Sequence, residues 1–422
     1  VKFIFLNILG IFMFFIPITI GKTRSIPIDH IVTFIRQIPN FGIVYAGIVI
    51  IVGAILPFTR KTWNKDAVTT VFSIFKVMGI FVYFLAAFKL GPESIQTPGM
   101  LPFVFNKVVI PVTMLVPVGA VFLAFLIEYG LMEFVGVFMR PIMRSVWKVP
   151  GRAAVDAVAS FVGSYSVALL ITNRVYKEGY YSNKEACIIA TGFSTVSATF
   201  MVVVAKTLGL MDKWNAYFWG TLFITFIVTA ITARLYPLSK KSDLGYNDNE
   251  VTPEPKAEGG KLFSTALEEG LRACEAAPRV AEGIVRNFKD GIGLALSIGP
   301  TLMSIGFFGL VLAEFTPIFD IMGYVFLPFT MLLGFGAEAA LLAKACAISL
   351  PEMFLPASIV ASAVQAVVAI VCVSEILFFS ASIPCILSTE IKIDIKDILI
   401  IWVERIILSL LLATSYVYLF II

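Results

Sequence analysis

Nine apolar runs limit what this chain can become. They lie at about 3–20, 41–58, 68–90, 108–139, 185–208, 212–236, 291–316, 354–387 and 397–420. Crossing the ~30 Å hydrocarbon core of a bilayer takes about 20 residues. In lipid every backbone N–H and C=O needs an internal partner, so runs of this kind must be helices or a closed barrel. Runs this long predict helices, and the fold class read from them is all-α: a polytopic membrane protein with about nine transmembrane helices. Only 14% of the 422 residues are charged and 59% are apolar. Soluble domains carry roughly a quarter charged residues, so no separate soluble domain is expected and the first partner is the lipid bilayer. The net charge of +4 is spread over short loops, which leaves no footprint for nucleic acid.

Several runs need comment. "KFIFLNILGIFMFFIPIT" resembles a signal peptide but is followed by no small-residue cleavage site, so it reads as a retained first helix. The run 108–139 is longer than one crossing requires and should tilt or extend into the interface. The run 354–387 is longer still, and "SASIPC" (380–385) should break it. The stretches 150–178 and 321–350 are apolar but carry Gly, Pro and small polar residues at their middle. Each is expected to be a re-entrant helical hairpin.

Positive charge orients the layout. Arg60, Lys61 and Lys65, then Arg140, Arg144, Lys148 and Arg152, then Arg234, Lys240, Lys241, Lys256 and Lys261 mark segments 59–66, 140–152 and 234–261 as cytoplasmic. Segments 91–107, 209–213 and 316–327 are nearly free of positive charge and should face outward; 21–40, with Lys22, Arg24 and Arg36, is the exception. In the cell membrane the N-terminus is then cytoplasmic and the C-terminus extracytoplasmic. The two hairpins enter from opposite faces, which defines an inverted-topology repeat. The expected divisions are N-terminal helices at 1–107, a first repeat at 108–236, a polar linker and interfacial amphipathic helix at 237–290, and a second repeat at 291–422. "RPIMRSVWKVPG" (140–151) has a faint counterpart in "TPIFDIMGYVFLP" (316–328), and "VGSYSVALLITN" (162–173) in "FGAEAALLAKAC" (335–346).

Hairpin tips leave backbone groups unpaired, which is tolerated only in protein or around a wet cavity. Candidate solute contacts are therefore Ser164, Ser166, Thr172 and Asn173 on the first hairpin. Ser194 and Thr195 join them on the face of the following helix, with Thr191 and Ala198 at helical spacing. In the second half Gln365 shares a face with Ser358 and Ser362 on a helix starting near 354. Small residues at such spacing also serve close helix packing. Ionisable groups inside spans are candidates for coupling a cation or proton: Glu128, Glu338, Lys344 and Glu375. Glu404 and Arg405, adjacent on the last span, are given no role.

Other chemistries are poorly served. His30 is the single histidine, which removes histidine triads and HExxH zinc sites. Cys187, Cys274, Cys346, Cys372 and Cys385 show no C-x-x-C spacing. "GKT" (21–23) follows Ile16 where a P-loop needs glycine. No cofactor or metal set is expected, and no enzyme.

The run 151–211, with "FGAEAALLAKA" (335–345), "FFSASIPCILSTEI" (378–391) and "IIWVERIILSLLLA" (400–413), resembles the YjiH family of multi-pass membrane proteins, whose central part resembles the nucleoside-recognition, or Gate, domain. Gate domains occur in concentrative nucleoside transporters, in the membrane part of the ferrous-iron transporter FeoB and in spore maturation proteins. The resemblance implies paired gate-like repeats and leaves two readings. One is a permease for a small polar solute, nucleoside-like and coupled to a cation or proton. The other is a membrane assembly or regulatory component acting with a second gate-domain subunit or as a homo-oligomer.

Overall fold

A computed structural model describes residues 2–16, 18–20, 23–64, 67–162, 165–196, 198–252, 262–360, 364–380, 382–387 and 389–421. The chain opens with α1 (Lys2–Phe15), a two-stranded antiparallel ribbon of β1 (Ile18–Ile20) and β2 (Thr23–Ser25), and α2 (Pro27–Arg36). Two long helices follow, α3 (Phe41–Thr59) and α4 (Ala67–Ala87). The short α5 (Leu101–Phe103) passes through π-helical turns at Val104–Val109 into α6 (Ile110–Ile127).

The run 108–139 proves to be two helices rather than one tilted span. Gly130, at φ +89°, turns the chain between α6 and α7 (Leu131–Ile142). After α7 come α8 (Ala153–Val162), α9 (Tyr165–Lys177), α10 (Asn183–Gly192), α11 (Ala198–Thr207) and α12 (Trp214–Thr232). The start of α10 is fixed by a capping box: Glu185 N–H donates to Ser182 Oγ at 3.1 Å, and Ser182 N–H donates to Glu185 Oε2 at 2.8 Å.

The amphipathic stretch 262–290 divides differently from expectation. α13 (Leu262–Ala276) ends before Pro278, and residues 280–290 are the first turns of α14 (Val280–Phe315). At 36 residues α14 is about 54 Å long, so it stands well clear of a ~30 Å hydrocarbon core. The rest is α15 (Ile318–Gly323), α16 (Leu327–Leu332), α17 (Ala339–Ile348), α18 (Pro356–Ile359), α19 (Gln365–Ser374), α20 (Ser382–Leu387) and α21 (Ile395–Phe420).

Among the described residues, six stretches are long and apolar enough to cross a membrane: Phe41–Thr59, Thr69–Ala87, Leu101–Phe122, Met211–Thr232, Val280–Phe315 and Ile395–Phe420. The expected span 185–208 is instead a broken pair, α10 with α11, and the run 354–387, expected to break at 380–385, breaks at 375–380 between α19 and α20. One succession of elements therefore occurs twice: a hairpin pair (α8–α9, then α17–α18), a broken helix (α10–α11, then α19–α20) and a long closing helix (α12, then α21). The second hairpin sits later than 321–350, because α15 and α16 precede it.

Large apolar side chains on the outer helices are bare, among them Phe81, Phe223 and Ile48, as expected of surfaces wetted by lipid. Inside, α10 and α19 are nearly completely buried, and α17 is buried over most of its length. Close backbone approach sets the outer packing. A Cβ on Gly53 would lie 2.0 Å from the Leu296 carbonyl oxygen, and one on Gly79 would lie 2.3 Å from that of Pro300. Only glycine lets α3 and α4 lie this near α14.

Candidate functional site

The interruptions in the two broken helices meet in the interior. α10 stops at Gly192, and the chain runs unwound through Phe193–Val196 before α11. α19 stops at Ser374, and residues 375–380 are non-helical before α20. The second interruption pairs with the tip of the second hairpin: Phe379 N–H donates to Leu350 O at 2.8 Å, and Ser380 N–H donates to Pro351 O at 2.9 Å. The first is held by its own hairpin, since Ser160 Oγ on α8 donates to Thr195 O at 2.8 Å.

Between these segments lies a cavity of about 50 Å³. The first repeat contributes Tyr165, Val196 and Phe200; the second contributes Thr301, Glu352, Phe378 and Ser380. The rings of Tyr165 and Phe378 meet edge-on with centroids 6.2 Å apart. Glu352, at the hairpin tip, is 1% exposed. Its Oε2 accepts from Ser380 Oγ, and its Oε1 accepts from Phe354 N–H at 3.3 Å. A buried carboxylate among hydroxyls and aromatic rings can accept hydrogen bonds from, and present a negative charge to, a polar solute.

The carbonyls freed where the helices break are capped from the closing helices. Thr229 Oγ1 on α12 donates to Gly192 O at 2.8 Å. Arg405 on α21 is fully buried, donating through Nε to Ser374 O and Glu375 O, both at 3.0 Å, and through Nη2 to Ser374 O at 2.7 Å. Its remaining arm donates to Thr229 Oγ1 at 3.1 Å, which ties the two interruptions together.

The residues singled out from sequence scatter. Ser164 lies outside the described residues, as does the side chain of Ser166. Thr172 Oγ1 donates to Ala168 O at 2.9 Å on its own helix, while Asn173 Oδ1 accepts from Glu390 N–H at 2.9 Å. Ser194 and Thr195 do not share a helix face with Thr191, because the helix has ended. Their hydroxyls are buried without a hydrogen-bond partner among the described residues, beside cavity-lining Val196. Gln365 opens α19 rather than continuing a helix from 354, and Ser362 lies outside the described residues.

The ionisable candidates also separate. Glu128 ends α6, where it accepts from Arg286 and from Asn287 Nδ2, the latter at 2.6 Å. Lys344 pairs with Asp320 at 2.9 Å rather than with Glu338. Glu338 lines a second cavity of about 180 Å³ with Val364, Val367, Val417 and Tyr418. Glu375 is fully buried, its Oε2 accepting from Ser349 Oγ and from Trp402 Nε1, the latter at 3.1 Å; Oε1 has no partner among the described residues. Trp402 and Val417 are 15 residues apart on α21, about 22 Å, so Glu338 and Glu375 do not form one site.

Sequence alone gave no place to Glu352 and no role to Arg405. Glu352 falls in the gap between the stretch ending at 350 and the run starting at 354. The signal present was a carboxylate between Pro351 and Pro356, in a segment unable to stay helical. Asp156 on α8 was missed as well, a buried carboxylate that accepts from Tyr181 Oη at 2.7 Å.

The fold is that of a polytopic helical membrane protein. Residues 109–211 match the Gate family model, described as nucleoside recognition. The structure is similar to that of CNTnw in an inward-facing substrate-bound state, with a TM-score of 0.52, 14% identity, and coverage of 99% of this chain and all of that one. A doubly substituted variant of CNTnw in an outward-facing state matches with a TM-score of 0.49, 13% identity and coverage of 99% and 100%. An uncharacterized protein of Alkalihalophilus pseudofirmus is 28% identical over 429 residues, spanning 97% of this chain and 92% of that protein.

Proposed function

We propose that the protein is a secondary permease for a small polar solute of the nucleoside kind, recognised in the cavity between the two broken helices. The observation that carries this reading is Glu352, a buried carboxylate facing an interior cavity to which both repeats contribute. The matching Gate model, described as nucleoside recognition, supports the solute class. At about 50 Å³ the cavity holds about three waters, whereas sites for drug-sized ligands measure about 300–1,000 Å³. In this reading solute-sized space forms there when one repeat tilts against the other.

Coupling to a cation or proton is part of the proposal. Its candidates are Glu375 Oε1 and the hydroxyls of Ser194 and Thr195, each without a hydrogen-bond partner among the described residues. The test is thermal unfolding of the purified protein against a panel of nucleosides, nucleobases and small acids, with and without sodium. A saturable stabilisation that is lost in Glu352→Gln supports the site, since a ligand stabilises the state it binds. A stabilisation unchanged in Glu352→Gln refutes this placement. No shift with any compound favours the assembly-component reading.

A further inference from the structure

A different cavity, at the other end of α11, has no place in that mechanism. It measures about 220 Å³ and is bounded by α2, the π-helical turns before α6, the start of α6 and the last two turns of α11. Its charged and polar lining is Arg36, Asn106, Lys107, Lys206, Thr207 and Asp29. Three cations thus face one carboxylate, a surplus of two positive charges. Asp29 is already committed: it accepts from Ser25 Oγ at 2.8 Å and pairs with Lys206 Nζ at 2.7 Å. Lys206 also donates to Thr33 Oγ1 at 2.8 Å, so it contributes charge more than free donors. Arg36 makes one long hydrogen bond, 3.4 Å to Asn106 O, and neither it nor Lys107 has an ion pair among the described residues.

The placement is unexpected from charge patterning. Arg36 belongs to 21–40 and Lys107 to 91–107, segments read as facing away from the positively charged side. Segment 21–40 is the exception among them in its positive charge, and its Arg36 meets Lys107 at one recess.

We propose that this recess binds a phosphate group. A guanidinium fork and a lysine ammonium converging on a cavity from separate elements are the usual means of holding a tetrahedral oxyanion, and a net charge of +2 matches a phosphate. The volume admits such an anion and falls below what a drug-sized ligand needs. Free phosphate and the phosphodiester of a lipid headgroup offer the same oxygens to these donors. The inference is independent of the proposed transport.

The test uses the full chain in nanodiscs of phosphatidylcholine, titrated with inorganic phosphate at constant ionic strength while thermal unfolding is followed. A second series replaces part of the lipid with phosphatidylglycerol. Saturable stabilisation by phosphate, weakened at least tenfold in Arg36→Gln/Lys107→Gln, identifies a free-phosphate site. Stabilisation by phosphatidylglycerol alone, lost in the same double variant, identifies the headgroup. Both substituted side chains are exposed, and the charge-preserving Arg36→Lys/Lys107→Arg variant should retain binding, which separates lost charge from a lost fold. No response to either probe, or an equal response in the double glutamine variant, overturns the proposal.

Discussion

Arg405 and Glu352 show how differently two buried charges can serve one site. Arg405 commits its donors to the carbonyls where α19 ends and to Thr229, so it holds the interruption open from behind. Arg405→Leu should leave these carbonyls unpaired in the interior and lower stability by about 3 kcal/mol, read by thermal unfolding in detergent. Arg405→Lys should not restore it, because one ammonium cannot reproduce a planar fork on three acceptors. Neither role was legible from sequence. Arg405 sits beside Glu404 in a continuous apolar helix, and nothing local says that it faces the end of another helix. For Glu352 the proline pair marked an interrupted segment, but burial, which makes the carboxylate informative, comes from residues far away in the chain.

Elements were more legible than contacts. Apolar length placed α3, α4, α12 and α21 within a few residues, because a span is a local requirement. It misplaced the ends of α6 and α14, where a glycine turn and a proline divide continuous amphipathic sequence. It also predicted a continuous helix through Ser194 and Thr195, since helical spacing is unchanged whether or not the backbone unwinds. The packing of α3 and α4 on α14 gives a prediction with opposite signs. Gly53→Ala and Gly79→Ala should each lower stability by about 1–3 kcal/mol, because the added methyl meets backbone. Gly293→Ala, on the same α14 but with nothing within 4 Å of its Cβ, should raise it by about 0.5–1 kcal/mol. Thermal unfolding of the three variants side by side checks both directions.

The polar segment at 240–261, expected to be a flexible linker, is in part a strap. Lys184 N–H donates to Ser242 O at 2.9 Å, Thr252 N–H donates to Gly179 O at 2.9 Å, and Lys241 pairs with Asp397 at 2.6 Å. Residues 253–261 lie outside the described residues. Asn183, at the start of α10, accepts from Lys392 N–H at 3.0 Å and donates to Lys392 O at 3.3 Å, so the strap and the lead into α21 fasten to one place. Asn183→Ala should cost about 1–2 kcal/mol and speed amide exchange at 389–394, while leaving exchange in α3 and α4 unchanged.

For the whole molecule, the proposed mechanism is movement of one gate-like repeat against the other, with the solute held between them at Glu352. Apolar runs and charge lead to the expectation of two repeats. They do not disclose that the second hairpin lies at 339–359, nor that the interruptions pair through Leu350, Pro351, Phe379 and Ser380. Such pairing depends on backbone meeting backbone, which side-chain pattern does not encode. The most direct test is uptake of a labelled nucleoside into proteoliposomes carrying the wild-type chain, Glu352→Gln or Ser380→Ala. The account predicts saturable uptake by the wild type, a loss of at least tenfold in Glu352→Gln and a smaller loss in Ser380→Ala, with thermal stability retained in all three. Saturable uptake that Glu352→Gln leaves intact would contradict it.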